Sequence, residues 1–192
     1  MTPENILVVK KSTLFGTNAP QGLIAETQAY VAIINDAKEF LPRALMEEDS
    51  NYKQVIPYLI FKYKSTYFLM QRKSTSSEQR LKNKYSLGIG GHMRQEDMGA
   101  GDSLFDWAKR EFYEEVHYEG NFSIATLGLL NDDSNPVGQV HVGLVLLLEG
   151  DSSNIAVRSE LKSGKLATLE ECQAIYANLE NWSQIVLDYL KQ

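Results

Sequence analysis

Apolar and polar positions follow two rhythms along this chain. Residues 55–63 and 67–71 are rich in aromatic and β-branched side chains and flank Lys64-Ser65-Thr66, the pattern of an antiparallel hairpin. A short apolar run at residues 6–9 predicts another strand, and residues 84–89 predict one that stops at Gly90-Gly91. Residues 122–130 and 140–148 predict two more, joined by 131–138, where Asn-Asp-Asp-Ser-Asn-Pro is dense in turn formers. The second of these is apolar on both faces and is expected at the centre of a sheet.

Helical spacing occurs elsewhere. Residues 26–40 carry Ala29, Val31, Ala32, Ile33, Ile34 and Phe40 on a helix-compatible period. Thr168 with Glu171 and Asn181 with Gln184 resemble successive capping signals that open helices over 169–179 and 182–190. Between these lies a helix from residue 102 to about 118, entered from a polar, Gly-containing loop over 92–101. Asp102 or Ser103 can cap it, with Asp106 where Glu or Gln is the usual partner. At about 100° per residue, Leu104, Phe105, Ala108, Phe112 and Val116 share the side that must be buried. Glu111, Glu114 and Glu115 fall within an arc of roughly 100° on a neighbouring stripe, with Arg110 beside Glu114. Strands with interspersed helices predict a mixed α/β sandwich, and the absence of repeats or a linker predicts one compact unit.

Like charges one turn apart, such as Glu111 and Glu115, destabilise a helix by about 0.2–0.5 kcal/mol. Two arrangements answer that cost: a solvated acidic face, or a divalent cation, since hard ions such as Mg2+ take carboxylate oxygens and keep several waters. Composition narrows the partners. Nineteen Lys+Arg against twenty-five Asp+Glu leave a net charge of -6, the wrong sign for tracking a phosphate backbone. One cysteine, Cys172, excludes an internal disulfide, and no Cys/His cluster has zinc-ligand spacing. No apolar stretch reaches membrane-spanning length, and Glu4 ahead of a short apolar run is unlike a signal peptide, so a cytoplasmic protein is expected.

The order of residues favours the cation. Gly90-Gly91 at a strand end, an acidic helix start and Arg110-Glu111-Phe112-Tyr113-Glu114-Glu115 together resemble the signature of the Nudix hydrolases, Gly-x5-Glu-x7-Arg-Glu-apolar-x-Glu-Glu-x-Gly-apolar. The resemblance is specific over residues 90–118, and the flanking strands and C-terminal helix follow the family from about residue 51. It implies a Nudix domain over 51–192, with 1–50 as an N-terminal extension packed on the same domain. There are departures. Asp102 stands seven residues before Arg110 in place of the box glutamate, with ten residues rather than five after Gly91. Glu96 or Asp97 is the alternative loop carboxylate, since Glu96 stands in the expected relation to Gly90. His117 replaces the glycine after the helix.

What the resemblance implies is a three-layered α/β/α sandwich around a mixed β-sheet, and cleavage of a diphosphate linked to another moiety by water attack at phosphorus. Glu111, Glu114 and Glu115 are then the Mg2+ ligands, Glu111 and Glu115 the direct ones, with Mn2+ as a substitute. Arg110 orients the stripe, and a carbonyl of Gly90 or Gly91 completes the shell. His92, Arg94, Glu96, Asp97 and Asp102 fall to the substrate or the outer shell, and the lengthened loop shapes access. The general base is a helix glutamate, or Glu149 or Glu160 on a later segment. The expected partner is a small-molecule diphosphate, with neither nucleic-acid polymer nor membrane, and a homodimer is compatible with it. His141, in an apolar strand, is expected to be structural, Asp132 and Asp133 to serve their turn, and residues 40–54 to form a lid or a connector. A Nudix-like nucleotide-binding or sensing module without turnover is the alternative. An isoprenoid diphosphate isomerase needs a cysteine on an early strand, whereas Cys172 lies in a predicted helix. A DNA-binding regulator needs a basic helix face that neither C-terminal helix carries.

Overall fold

The computed structural model describes residues 4–25, 27–72, 84–97, 103–158 and 161–192. In chain order, β1 (Asn5–Lys10), α1 (Lys11–Phe15), β2 (Gly22–Ile24), α2 (Gln28–Ala37), β3 (Glu39–Pro42) and α3 (Arg43–Met46) come first. The hairpin of β4 (Tyr52–Tyr63) and β5 (Thr66–Arg72) leads to β6 (Tyr85–Ser86), β7 (Gly88–Gly90) and α4 (Leu104–Glu115). Then follow β8 (Val116–Tyr118), β9 (Phe122–Asn131), α5 (Pro136–Val140), β10 (His141–Gly150), β11 (Ile155–Val157) and β12 (Leu161–Ala167). Two helices, α6 (Leu169–Ala174) and α7 (Asn181–Leu190), close the chain. The architecture is α/β around a mixed sheet in which the order runs β12-β5-β4-β10-β9-β2, with β8 and β11 paired apart. β10 is central and almost wholly buried, as its two apolar faces require.

Two compact units are distinguished, and each mixes distant stretches of sequence. The first comprises residues 1–58, 90–107 and 126–145. In it β1 pairs antiparallel with β3, from Asn5 opposite Pro42 to Val8 opposite Glu39, and with β4 from Val8 opposite Gln54 to Lys10 opposite Tyr52. Ile6, Val8 and Met46 are buried together, with Leu41 and Tyr52 packed on them. The helix expected over 26–40 is shorter. It ends at Ala37 because Lys38 is extended and β1 claims Glu39–Pro42 as a strand partner, so Phe40 pairs with Leu7 instead of closing a helical stripe. Within 131–138 the turn gives way to α5, where Asn135 accepts from the Gly138 N–H at 3.0 Å and Pro136 occupies the first helical turn.

The second unit comprises residues 59–89, 108–125 and 146–192. The hairpin is as expected, but only Lys64 and Ser65 form its turn, since Thr66 already pairs with Tyr63. Lys64 takes a positive φ of 53°, which the twist of a two-residue hairpin demands. Phe61, Phe112, Tyr118 and Phe122 form an aromatic cluster with ring centroids 4.9–6.0 Å apart in the contacts Phe61–Tyr118, Phe112–Phe122, Phe61–Phe112 and Phe112–Tyr118. Thr168 and Glu171 form the expected reciprocal capping box on α6. That helix stops at Ala174 and a 3-10 turn covers Tyr176–Asn178. α7 starts from Glu180, so Asn181 lies inside the helix and does not cap it. Glu180 is itself buried and bonded by the Ser86 hydroxyl. Among the described residues no helix is long and apolar enough to cross a membrane.

Replacing Thr168 by Ala removes the cap that accepts the Glu171 N–H, and a loss of about 1 kcal/mol is expected in urea denaturation. An unchanged midpoint at unchanged slope means that α6 does not depend on its box.

Candidate functional site

Helix α4 is built to present carboxylates. Ser103 caps it: its hydroxyl accepts from the Asp106 N–H at 3.2 Å, and the Asp106 carboxylate accepts from the Ser103 N–H at 3.1 Å. The pair is a capping box with aspartate in the partner role. Asp102 lies outside the described residues. Leu104, Ala108, Phe112 and Val116 are buried as expected, but Phe105 is 39% exposed and Trp107 takes its place in the core at 2%. The buried stripe therefore runs along 104, 108, 112 and 116 with Trp107 beside it. Glu111 and Glu115 continue the Trp107 row at steps of four, and both are half-buried, whereas Arg110 and Glu114 are exposed.

The end of α4 is held without a glycine. The Arg158 N–H donates to the Glu115 carbonyl at 2.8 Å, and its Nε donates to the Val116 carbonyl at 3.1 Å. His117 continues as strand, opposite Ala156 of β11, so the left-handed exit that the family's glycine supplies is not used here. The backbone of Glu115 is fixed from outside the helix.

The first unit gathers a second set of groups around Gly90, Gly91 and His92. Gly90 lies tight against β4: a Cβ there would stand 3.2 Å from Ile56 Cγ2 and 3.3 Å from the Tyr58 ring. His92 follows with Nε2 at 2.8 Å from Gln54 Oε1 and 3.2 Å from His141 Nε2. The His141 Nδ1 lies 2.7 Å from the Val137 carbonyl, so it carries the proton and directs the Nε2 lone pair at His92. One carboxylate oxygen of Glu47 and one nitrogen of each ring lie within 4.8 Å of one another. Burial first, then the charge of Arg43 and the proximity of His141, push His92 down to about 3, so its ring is neutral at pH 7. Sequence spacing did not reveal this group, and Glu47 and Gln54 read there as parts of a lid or a connector.

Beneath it sits Lys53, with no exposed surface. Its Nζ donates to Asp133 Oδ1 at 2.6 Å, the Gly138 carbonyl at 2.7 Å and the His141 carbonyl at 3.2 Å. Burial pulls the ammonium down, while the Asp133 hydrogen bond and charge oppose it. For Asp133 burial acts upward, but bonds from Lys53 and Lys11 outweigh it and hold the carboxylate at about 2. Three acceptors for three protons mark an ion pair of full charges. Asp133 thus serves Lys53, while Asp132 keeps the turn by accepting from the Ser134 N–H at 3.1 Å.

The other candidates are dispersed. Arg94 grips Asp97 through two bonds of 2.6 and 2.8 Å and approaches Glu96 at 3.7 Å, within a 3-10 turn over Gln95–Asp97. Glu149 is exposed and paired with Lys62 at 3.0 Å. Glu160 lies outside the described residues. Cys172 is buried in α6, and burial pushes its thiol up to about 11, which leaves it inert.

No family model matches the chain. The chain is 35% identical over 201 residues to Protein YmaB of Bacillus subtilis (strain 168), covering all of this chain and 96% of that protein. Among solved structures it is similar to Tm1382, a candidate Nudix hydrolase, with a TM-score of 0.73 and 28% identity over 97% of this chain and 98% of that one. It also shares the fold of the NUDIX domain of Shewanella oneidensis NrtR in complex with ADP ribose, with a TM-score of 0.57 and 12% identity over 72% and 86% of the two chains.

Asp133→Asn leaves the Lys53 ammonium buried without its counter-ion and is expected to cost about 3 kcal/mol at pH 7, read by urea denaturation. Because the folded carboxylate titrates at about 2, below its unfolded value, its contribution is complete above about pH 4 and is lost as the pH falls towards 2. The difference between wild type and variant should therefore close across that window. A difference that stays constant from pH 7 to pH 2 would remove Asp133 as the charge that matters.

Proposed function

The chain belongs to the Nudix hydrolase family, and from that premise we propose that it is a Mg2+-dependent hydrolase. It cleaves a diphosphate linkage in a nucleotide or another nucleoside-diphosphate compound by attack of water at phosphorus. The observation that carries this is the position of Glu111 and Glu115, one turn apart and both half-buried, at the margin of the buried stripe of α4. Their oxygens are the hard donors that Mg2+ prefers, and Mn2+ is accepted by the same set. When bound, the ion neutralises phosphate charge and acidifies a water.

The chain's own residues have separate tasks in this proposal. Glu111 and Glu115 hold the ion, and the clasp of Arg158 on the Glu115 carbonyl keeps that backbone from fraying. Glu114, exposed on the same helix, is the helix glutamate to which this proposal gives the task of taking a proton from water. Arg110 orients the stripe by charge. The ADP-ribose complex of the Shewanella protein supports a sugar-linked nucleoside diphosphate as the substrate class. Residues 1–50 serve as an extension of the Nudix domain over 51–192, and the protein acts on small molecules in the cytoplasm.

Purified protein with Mg2+ or Mn2+ should release phosphate or a nucleoside monophosphate from a panel of nucleoside diphosphate compounds. Glu115→Gln should lower kcat by about 100-fold or more, while thermal unfolding without metal shows no loss, since one like charge fewer crowds the helix. Turnover equal to wild type would dismiss Glu115 as a ligand. Binding without hydrolysis across the whole panel would favour a sensing module.

A further inference from the structure

Three segments far apart in the chain bring His92, His141 and Glu47 together in the first unit. We infer that they form a second metal site, for one divalent ion of the zinc class, built from two imidazoles and a carboxylate. This does not rest on the helix glutamates: it uses none of them, and its donors are of a different kind.

The geometry of the rings carries the inference. Their Nε2 atoms face each other at 3.2 Å. Two nitrogens bound to Zn2+ at about 2.0–2.1 Å in a tetrahedral arrangement stand about 3.3–3.4 Å apart, so the rings need almost no movement. His141 is already oriented as a ligand, because its Nδ1–H is bound by the Val137 carbonyl at 2.7 Å. A backbone carbonyl on the distal nitrogen is the usual outer support of a metal-binding histidine. Lys53 bonds the His141 carbonyl at 3.2 Å and fixes the same residue from its backbone.

Glu47 closes the third side. Its carboxylate is exposed, is held by Arg43 Nε at 3.1 Å, and comes within 4.8 Å of the ring nitrogens. Its side chain is exposed and can swing inward to reach a shared ion. Arg43 opposes a cation in this place, but its charge is countered by Glu4 at 3.3 Å and by Glu47 itself. His92 must present the Nε2 lone pair, with its proton moved to Nδ1, and the hydrogen bond that its Nε2–H donates to Gln54 Oε1 is given up. Three protein ligands of this type leave a fourth position for water, and imidazole with carboxylate selects Zn2+ or Co2+ over the hard ions suited to the helix glutamates.

The full-length protein is stripped with a chelator and titrated with Co2+, whose visible absorption is intense in a four-coordinate, nitrogen-containing site and weak with oxygen ligands alone. One equivalent should bind with an intense band, and Zn2+ should displace it. Glu47→Gln, an exposed change that spares the core, should weaken Co2+ binding at least tenfold, and His92→Asn should abolish the band. Zn2+ should also raise the thermal midpoint of the wild type more than that of Glu47→Gln. In Glu115→Gln the band should persist whether or not Mg2+-dependent hydrolysis does, which separates this site from the proposed activity. Absence of the band in wild type, its survival in His92→Asn, unchanged affinity in Glu47→Gln, or its loss in Glu115→Gln each overturns the assignment.

Discussion

An ammonium with no access to water must find acceptors for all three of its protons, and Lys53 finds them in Asp133, Gly138 and His141. That requirement joins the start of β4 to the turn ahead of β10 across 80 or more positions of sequence. The desolvation cost of the charge is repaid only if the partners are held in place, so Asp133 receives Lys11 and the Gln21 amide as well. The consequence reaches the neighbouring residues. Gln54 is turned to His92, and His141 starts its strand with a ring anchored on Val137 and aimed at the same histidine.

The helix α4 answers a different constraint. Its core row and the Trp107 row lie side by side, so carboxylates at 111 and 115 stand at the boundary between apolar packing and solvent. Half-burial strengthens their mutual repulsion and at the same time strengthens their attraction for a cation. The aromatic cluster on Phe112 holds the helix by its apolar side, and Arg158 holds its last carbonyl. The carboxylates can then differ in exposure without the helix paying for their crowding by fraying.

The likeness to a Nudix hydrolase structure and the exposure of the α4 carboxylates both support the proposed chemistry. The departures in the box do not disturb this. The position that carries glycine in the family is part of β8, and an external clasp substitutes for the tight exit. The groups of the first unit belong to another kind of donor chemistry, nitrogen with oxygen in place of oxygen alone, and so invite a different class of ion.

Short-range pattern was legible in the sequence because it is written in neighbouring positions. The hairpin around Lys64, the Ser103–Asp106 cap, the Thr168–Glu171 box and the row of 104, 108, 112 and 116 all follow from spacings of two, three or four. The Nudix box belongs to the same class, since its glutamates share one helix. Elements in competition were less legible. Phe40 fits a helical period, yet it pairs with Leu7 in a strand, and Phe105 yields its place in the core to Trp107, because the packing partner decides which edge of a stripe is covered. What only the tertiary structure decided is contact across long separations. Lys53 with Asp133 spans 80 positions and His92 with His141 spans 49, and no local periodicity encodes either, because burial and backbone acceptors from other strands create them.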